Sequence, residues 1–335
     1  MERLIAAGAP LTEIDDEDGS TPLHLAVEGP DEAVHAMLAI LLTADEDDRA
    51  EALCAHNDDG LTPLQVAARC SSRKAVEMIL DSIDEEIRQD VIEMRSHRKG
   101  NLFNGNWGKK ATDGALEELD IEHMTLLQCA VERLDPKTDE QDDEDGDISM
   151  SLSDDGRNLN TAIEMIKMLI ERGANVNVRD AEGRTPLHQA VEYGVQPVAE
   201  LLLSAGADPT LGCKAIGMAN TTLHQAVMRG DESMVRLLVR ASHSAALGQL
   251  NVDAPGQNGL TPLCLAARSN KEACAKALLE GGADPNAKAA FGKSALDIAK
   301  ANKRAGILKL FGAECTGGGA TAAPFQSCGV RRAAI

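Results

Sequence analysis

Aromatic residues are scarce in this chain: among 335 residues there are one Trp, one Tyr and four Phe. Large aromatic side chains therefore cannot fill the core. Ala, Leu, Val and Ile have to supply it, and such small apolar side chains suit helices that pack closely against one another.

Basic residues are outnumbered, with 33 Lys and Arg against 54 Asp and Glu, for a formal net charge of −21. Nucleic-acid binding depends on basic patches, so the balance predicts no nucleic-acid partner and no anionic membrane surface. A protein partner with a basic segment is the better electrostatic match.

Long apolar runs and paired cysteine motifs are also missing. No stretch of 18 apolar residues occurs, so no membrane insertion is expected. The N-terminus lacks the apolar segment of a signal peptide. The eight cysteines form no Cys-x-x-Cys pair, and four of them are predicted to fill helices in a reducing cytoplasm or nucleus: Cys70, Cys129, Cys264 and Cys274.

Motifs of enzymes are absent as well. The chain has no glycine-rich phosphate loop, no Gly-x-Ser-x-Gly and no His-Glu-x-x-His. Cys315 and Cys328 have no neighbouring His that would activate a thiol. The sequence therefore predicts no catalytic, cofactor-binding or metal-binding site.

The stretch Asp180–Pro209 shows what the chain does contain. It opens with an Asp-x-x-Gly turn, and Thr185 can cap a helix that begins at Pro186, where a missing N–H costs nothing. Gly194 can end that helix in a left-handed conformation before a second apolar helix and a Gly-Ala-Asp closure. The first helix has an apolar stripe of Leu187, Ala190 and Val191.

The Thr-Pro-Leu-His corner of this stretch recurs along the chain. The steps between its first residues are 41, 63, 60, 36, 40 and 33. The seven corners predict seven units, and the two largest steps predict two long insertions. The units are expected to stack, because one such unit cannot bury a core by itself. Their corners begin at Thr21, Thr62, Thr125, Thr185, Thr221, Thr261 and Ser294.

These residues resemble the ankyrin repeat, a turn plus two antiparallel helices that recurs about every 33 residues. The resemblance implies an all-α solenoid over residues 1–312, with a partial unit at 1–14, insertions at 83–118 and 135–158, and a flexible Gly/Ala-rich tail at 313–335. The partial unit would expose the apolar residues Leu4 and Ile5 at the end of the solenoid, so we expect either upstream sequence or an element that covers them.

The extra segments carry their own signals. In the first unit the second helix is expected to continue through Ala44–Cys54, and Ile83, Ile87, Val91 and Met94 predict a further helix after the second unit. The basic stretch Arg95–Lys110 holds Trp107, which either anchors a partner or packs back on the solenoid. Its basic pairs match a bipartite nuclear signal only weakly.

The second insertion is acidic and poor in apolar residues, which predicts disorder. Ser151 with Asp154 three residues later suits an acidophilic kinase; the alternative, which the composition favours, is a solvated spacer with no regulatory role. His24, His188 and His224 occupy the same corner of three units, so a structural role is preferred to metal binding.

In ankyrin proteins partners usually contact the turn tips and the exposed side of the first helix. Carried over position by position, this surface is acidic through the fourth unit and basic in the last three. A basic partner segment is expected over the acidic part, with Tyr193 and Met228 as an apolar hot spot; the alternative is that acidic tips only maintain solubility. The candidate residues are Asp18, Asp58, Asp59, Glu182, Arg184, Glu192, Tyr193, Met228, Arg229 and Arg268.

The sequence thus predicts a non-enzymatic scaffold or adaptor. One alternative is a regulatory or targeting part of a larger enzyme, channel or ubiquitin-ligase subunit. Another rests on the tail, where Arg331, Arg332 and Ala334 resemble the inhibitory segment of cyclic-AMP-dependent protein kinase inhibitors. In such a segment two guanidinium groups bind kinase carboxylates and an Ala replaces the phospho-acceptor.

Overall fold

Regular structure is almost entirely helical. The computed structural model describes residues 11, 15, 18–41, 43–44, 46–70, 72–83, 85–94, 124–134, 155–213, 220–242, 251–289 and 292–312. Within these ranges the exceptions are a short 3-10 turn, Gln257–Gly259, and two isolated β-bridges, Gly212 with Thr221 and Lys288 with Ser294. The predicted all-α class is confirmed.

The helices form seven consecutive units. First helices pack on first helices and second helices on second helices, which gives two layers. The first helices are Pro22–Glu28, Pro63–Arg69, Leu126–Glu132, Pro186–Tyr193, Thr222–Arg229, Pro262–Ser269 and Ala295–Ala301; the second helices are Asp31–Leu41, Arg73–Ser82, Asp155–Glu171, Gln196–Ser204, Glu232–Ser242, Glu272–Glu280 and Ala305–Leu310.

Local chemistry sets both ends of a first helix, as unit 4 shows. Thr185 caps Pro186–Tyr193 by accepting a hydrogen bond from the backbone N–H of His188, and Pro186 occupies the first turn. The helix ends at Gly194, whose φ of 75° is left-handed and unfavourable for residues with a Cβ. The predicted stripe Leu187, Ala190 and Val191 is fully buried.

Units 1 and 2 each contain a third helix, Glu46–Cys54 and Glu85–Glu93, and the two pack against each other. The helix after unit 2 was predicted. The prediction of one continuous helix in unit 1 is wrong, because the second helix ends at Leu41 and a separate helix follows. Thr43 lies in the break, where its hydroxyl donates to the carbonyl of Ile40.

Equivalent arginines cap the ends of these second helices. Arg49 donates to the carbonyl oxygens of Leu41 and Ala44, each at 3.2 Å. In unit 2, Arg88 donates to the carbonyl oxygens of Leu80 and Ile83, at 2.8 and 3.0 Å. Terminal carbonyls lack partners inside their own helix, so these bonds fix the path of the chain into each third helix.

Two sequence-based expectations need correction. The helix Asp155–Glu171 begins inside the range 135–158 that was assigned to the insertion. Cys70 is exposed and does not fill a helix, because Pro63–Arg69 ends just before it. The other three cysteines of that group are buried as predicted.

Candidate protein-binding surface

In units 1, 3 and 5 the turn tips are positioned by hydrogen bonds that run from the corner to the next unit. His24 Nε2 lies 2.9 Å from the carbonyl oxygen of Leu61, and His224 Nε2 lies 3.0 Å from that of Leu260. Gln128 in unit 3 does the same with an amide, donating to the carbonyl of Arg184 at 3.0 Å. Each acceptor directly precedes the next corner residue, so these bonds set how the tips line up.

The corner histidines are neutral structural groups. In unit 4, His188 Nδ1 accepts from the backbone N–H of Thr185 at 3.2 Å and lies 2.9 Å from its hydroxyl. Burial, helped by the cation of Arg179, lowers the pKa of His188 to about 4. Burial also lowers the pKa of His24 and of His224. The structural role is confirmed, and no group of three potential metal ligands occurs among the described residues.

Acidic tips of units 1 and 2 lie together. The backbone N–H of Asp58 donates to the carbonyl of Asp18 at 2.8 Å, and both side chains are exposed. Asp59 is exposed beside them. The pKa of Glu28, at the end of the first helix, is raised by burial and then by the charge of Asp18. Three predicted residues and Glu28 therefore contribute to one acidic surface.

Unit 4 brings its predicted charged residues together in a different way. Arg184 donates to the buried carboxylate of Asp180 at 2.8 Å and lies 3.4 Å from Glu182 and 3.8 Å from Glu192. Only 16% of the Arg184 side chain is exposed. Its charge is satisfied within the unit, so it does not oppose the acidic surface of units 1 and 2.

Of the apolar pair predicted at units 4 and 5, only Met228 is exposed. Met228 is the exposed large hydrophobic residue of the described part of the chain, at 39%. Tyr193, on the neighbouring first helix, is partly buried against the core. Beyond Met228, Arg229 and Arg268 are exposed near the ends of the first helices of units 5 and 6.

A family model for ankyrin repeats matches residues 1–90, 156–213 and 211–289, which is more than half of the chain. The chain belongs to the ankyrin repeat family. Ankyrin repeats form a protein–protein interaction domain that is typically non-catalytic, although some relatives of this chain contain them within larger enzymes. The first-helix layer and the turn tips are therefore the surfaces to consider for a protein partner.

Several known ankyrin proteins are similar to this one. The mouse B-cell lymphoma 3 protein homolog is 26% identical over 63% of this chain and 49% of its own length. Human 2-5A-dependent ribonuclease is 47% identical over 53 residues, 16% of this chain and 7% of its own length. The chain thus spans half or less of these relatives. The crystal structure of the Bcl-3 ankyrin repeat domain matches in fold with a TM-score of 0.58 at 22% identity, covering 88% of this chain and all of that one.

Asp180 is a residue of this surface that sequence reasoning missed. Its side chain is 1% exposed and also accepts from the backbone N–H of Arg184 at 2.7 Å. The Asp-x-x-Gly-Arg spacing was a usable signal, because the Gly turn brings a following Arg back to the Asp. Several predicted positions lie outside the described residues: Trp107, Arg331, Arg332 and Ala334.

No described helix of this ankyrin protein combines the length and the apolar character that crossing a bilayer requires. The segments 95–123 and 135–154 and the tail from residue 313 lie outside the described part of the chain, as does nearly all of the partial unit 1–14. The hypotheses of a recognition loop, a phosphorylation site, a nuclear signal and a kinase-binding tail therefore remain predictions.

Proposed function

We propose that this ankyrin repeat protein is a non-enzymatic adaptor of the cytoplasm or nucleus that binds a basic segment of a partner protein across the turn tips of units 1–4. The observation that carries the proposal is the acidic surface of Asp18, Asp58, Asp59 and Glu28. Its tips are tied together by a backbone hydrogen bond, so the charges are held in one place. Preorganised charge of one sign attracts and orients a partner of the other sign.

The basic residues of the first-helix layer indicate where along the solenoid the basic segment ends. Arg69, at the end of the first helix of unit 2, lies 3.9 Å from Glu132, and Arg184 is neutralised by Asp180 and its neighbours. Arg229 and Arg268, farther along, are exposed bases that would repel a basic segment. We expect the basic segment to end before unit 5, with an apolar residue of the partner on Met228.

Charge reversal tests this function. The partner is first isolated by affinity capture from source cells with the intact protein at two salt concentrations. Asp58→Lys with Asp59→Lys should then slow association with that partner about ten-fold or more at low salt and flatten its salt dependence, because steering acts on the association rate.

The matched control is Glu171→Lys with Glu200→Lys. Both residues are exposed on second helices, and the change in net charge is the same. Its association rate should stay within about two-fold of wild type. If both double variants associate at the same rate as wild type, the acidic tips only maintain solubility.

A second candidate is the regulatory or targeting part of a larger protein. This candidate is favoured because the chain matches only a small part of its relatives' length, which is 7% for the human ribonuclease. A longer transcript from the same gene that adds a catalytic domain would support this function. Native mass of the cellular protein equal to the mass of this chain would contradict it.

A further inference from the structure

Gln65 makes a contact that no other described corner residue makes. Its side-chain Nε2 donates to two carbonyl oxygens, that of Met94 at 3.0 Å and that of Met124 at 3.0 Å. Met94 directly precedes residues 95–123, and Met124 directly follows them. The two carbonyl oxygens are therefore at most about 6 Å apart, twice the distance of each from the same nitrogen.

The equivalent residues hold only one carbonyl each. His24, Gln128 and His224 reach Leu61, Arg184 and Leu260, respectively, the residue just before the next corner. Met124 is that residue for unit 2, so the bond to Met94 is additional. A neutral imidazole has one N–H and here uses its other nitrogen within its own corner, whereas an amide nitrogen has two. A Gln is therefore suited to this corner, where the residues on both sides of 95–123 have to be held.

We propose that Gln65 is a clasp that holds both ends of residues 95–123 at one point of the solenoid. The stacking of units 2 and 3 then does not depend on the residues between. Gln65 is 1% exposed and its own amide oxygen accepts from the backbone N–H of Thr62 at 2.9 Å, which fixes the amide orientation. The first helices of units 2 and 3 pack directly on each other, and Glu85–Glu93 also contacts the first helix of unit 3.

One consequence is that residues 95–123 can be removed. In the full chain, we replace them with a four-residue Gly-Ser linker. We expect unchanged helical circular dichroism and a urea midpoint equal to or above that of wild type, because a shorter connection loses less entropy when its ends are held together. Loss of cooperative unfolding in this variant would overturn the proposal.

A second variant isolates the clasp. Gln65→His keeps one donor and should lose the Met94 bond, which would leave that partly buried carbonyl without a side-chain donor. We expect about ten-fold faster amide hydrogen exchange in Glu85–Glu93 and at the start of Leu126–Glu132. The matched control is Gln128→His, which keeps the single bond of its corner and should exchange within about two-fold of wild type.

Combining the two changes separates a clasp from an ordinary hydrogen bond. In the shortened chain the linker itself keeps the ends together, so Gln65→His should accelerate exchange less than it does in the full chain. Equal effects in both chains, or equal effects of Gln65→His and Gln128→His in the full chain, would overturn the proposal. No partner is involved, so these outcomes do not depend on the proposed function.

Discussion

His24 Nε2 lies 2.9 Å from the carbonyl oxygen of Leu61, so an imidazole in one repeat supports the turn of the next. Nδ1 of the same ring accepts from the backbone N–H of Thr21 at 3.1 Å. Both ring nitrogens are thus used in the neutral form. Burial, helped by the nearby His56, lowers the pKa of His24. Protonation of Nδ1 would also set its hydrogen against that of the Thr21 N–H. We therefore expect acid to destabilise the repeat stack.

His188→Gln should reduce this sensitivity. The pKa of His188 is about 4 in the fold against 6.5 unperturbed, so the unfolded chain binds the proton first as the pH falls. The stability that the neutral ring contributes is complete above about pH 6.5 and is lost toward about pH 4. Between pH 7 and pH 5 the variant should lose about 2 kcal/mol less than wild type in urea unfolding.

Gln is the appropriate replacement because Gln65 and Gln128 already occupy equivalent corners, each donating to the next unit. A Gln128→His change serves as the opposite control and should increase the loss of stability in acid. If His188→Gln and wild type lose the same free energy between the two pH values, the low pKa of His188 is wrong.

Asp180→Ala should strongly destabilise the protein. It removes a buried carboxylate that accepts from the side chain and the backbone of Arg184. Removing one partner of a buried ion pair costs about 3–5 kcal/mol, because the other charge stays desolvated. Glu182→Ala is the control, since that side chain is 54% exposed and contacts the same arginine. It should change the free energy of urea unfolding by less than about 1 kcal/mol.

Arg88→Ala should loosen the third helix of unit 2. The two carbonyls at the end of the second helix would lose their charged donor, at a cost of about 1.5–3 kcal/mol in urea unfolding. Arg49→Ala should act similarly in unit 1 through its longer bonds. Arg240→Ala, on an exposed part of a second helix, should stay within about 0.5 kcal/mol. Equal effects of all three changes would contradict the capping role.

Leu202→Ala should test the core of the second-helix layer. Leu202 is fully buried, and truncating such a residue costs about 3–5 kcal/mol because a cavity remains. The adjacent Leu201 is only partly buried, so Leu201→Ala is a control of the same chemistry in the same helix and should cost less. Thermal unfolding of the two variants gives the comparison; a reversed order would contradict the assignment of the buried face.

Much of a single unit could be predicted from the residues. The cap at Thr185, the proline at position 186 and the left-handed Gly194 act within a few positions of one another, and the structure confirms each. The third helix of unit 1 was harder to delimit, because the break before it depends on Thr43 and on a cap by Arg49 from the next helix. Arg184 was assigned to a partner, although the Asp-x-x-Gly-Arg spacing already indicated its pairing with Asp180; only the burial of Asp180 required the structure.

The sequence by itself determined that this chain is a stack of ankyrin units, because helix caps, turn glycines and apolar stripes are local and repeat in the chain. The tertiary structure alone decided how exposed the charged groups are. The side chain of Arg184 is mostly covered and is paired with carboxylates of its own unit, while Asp18 and Asp58 are exposed on adjacent tips. It also decided that Gln65 donates to both Met94 and Met124, two residues that are far apart in the sequence.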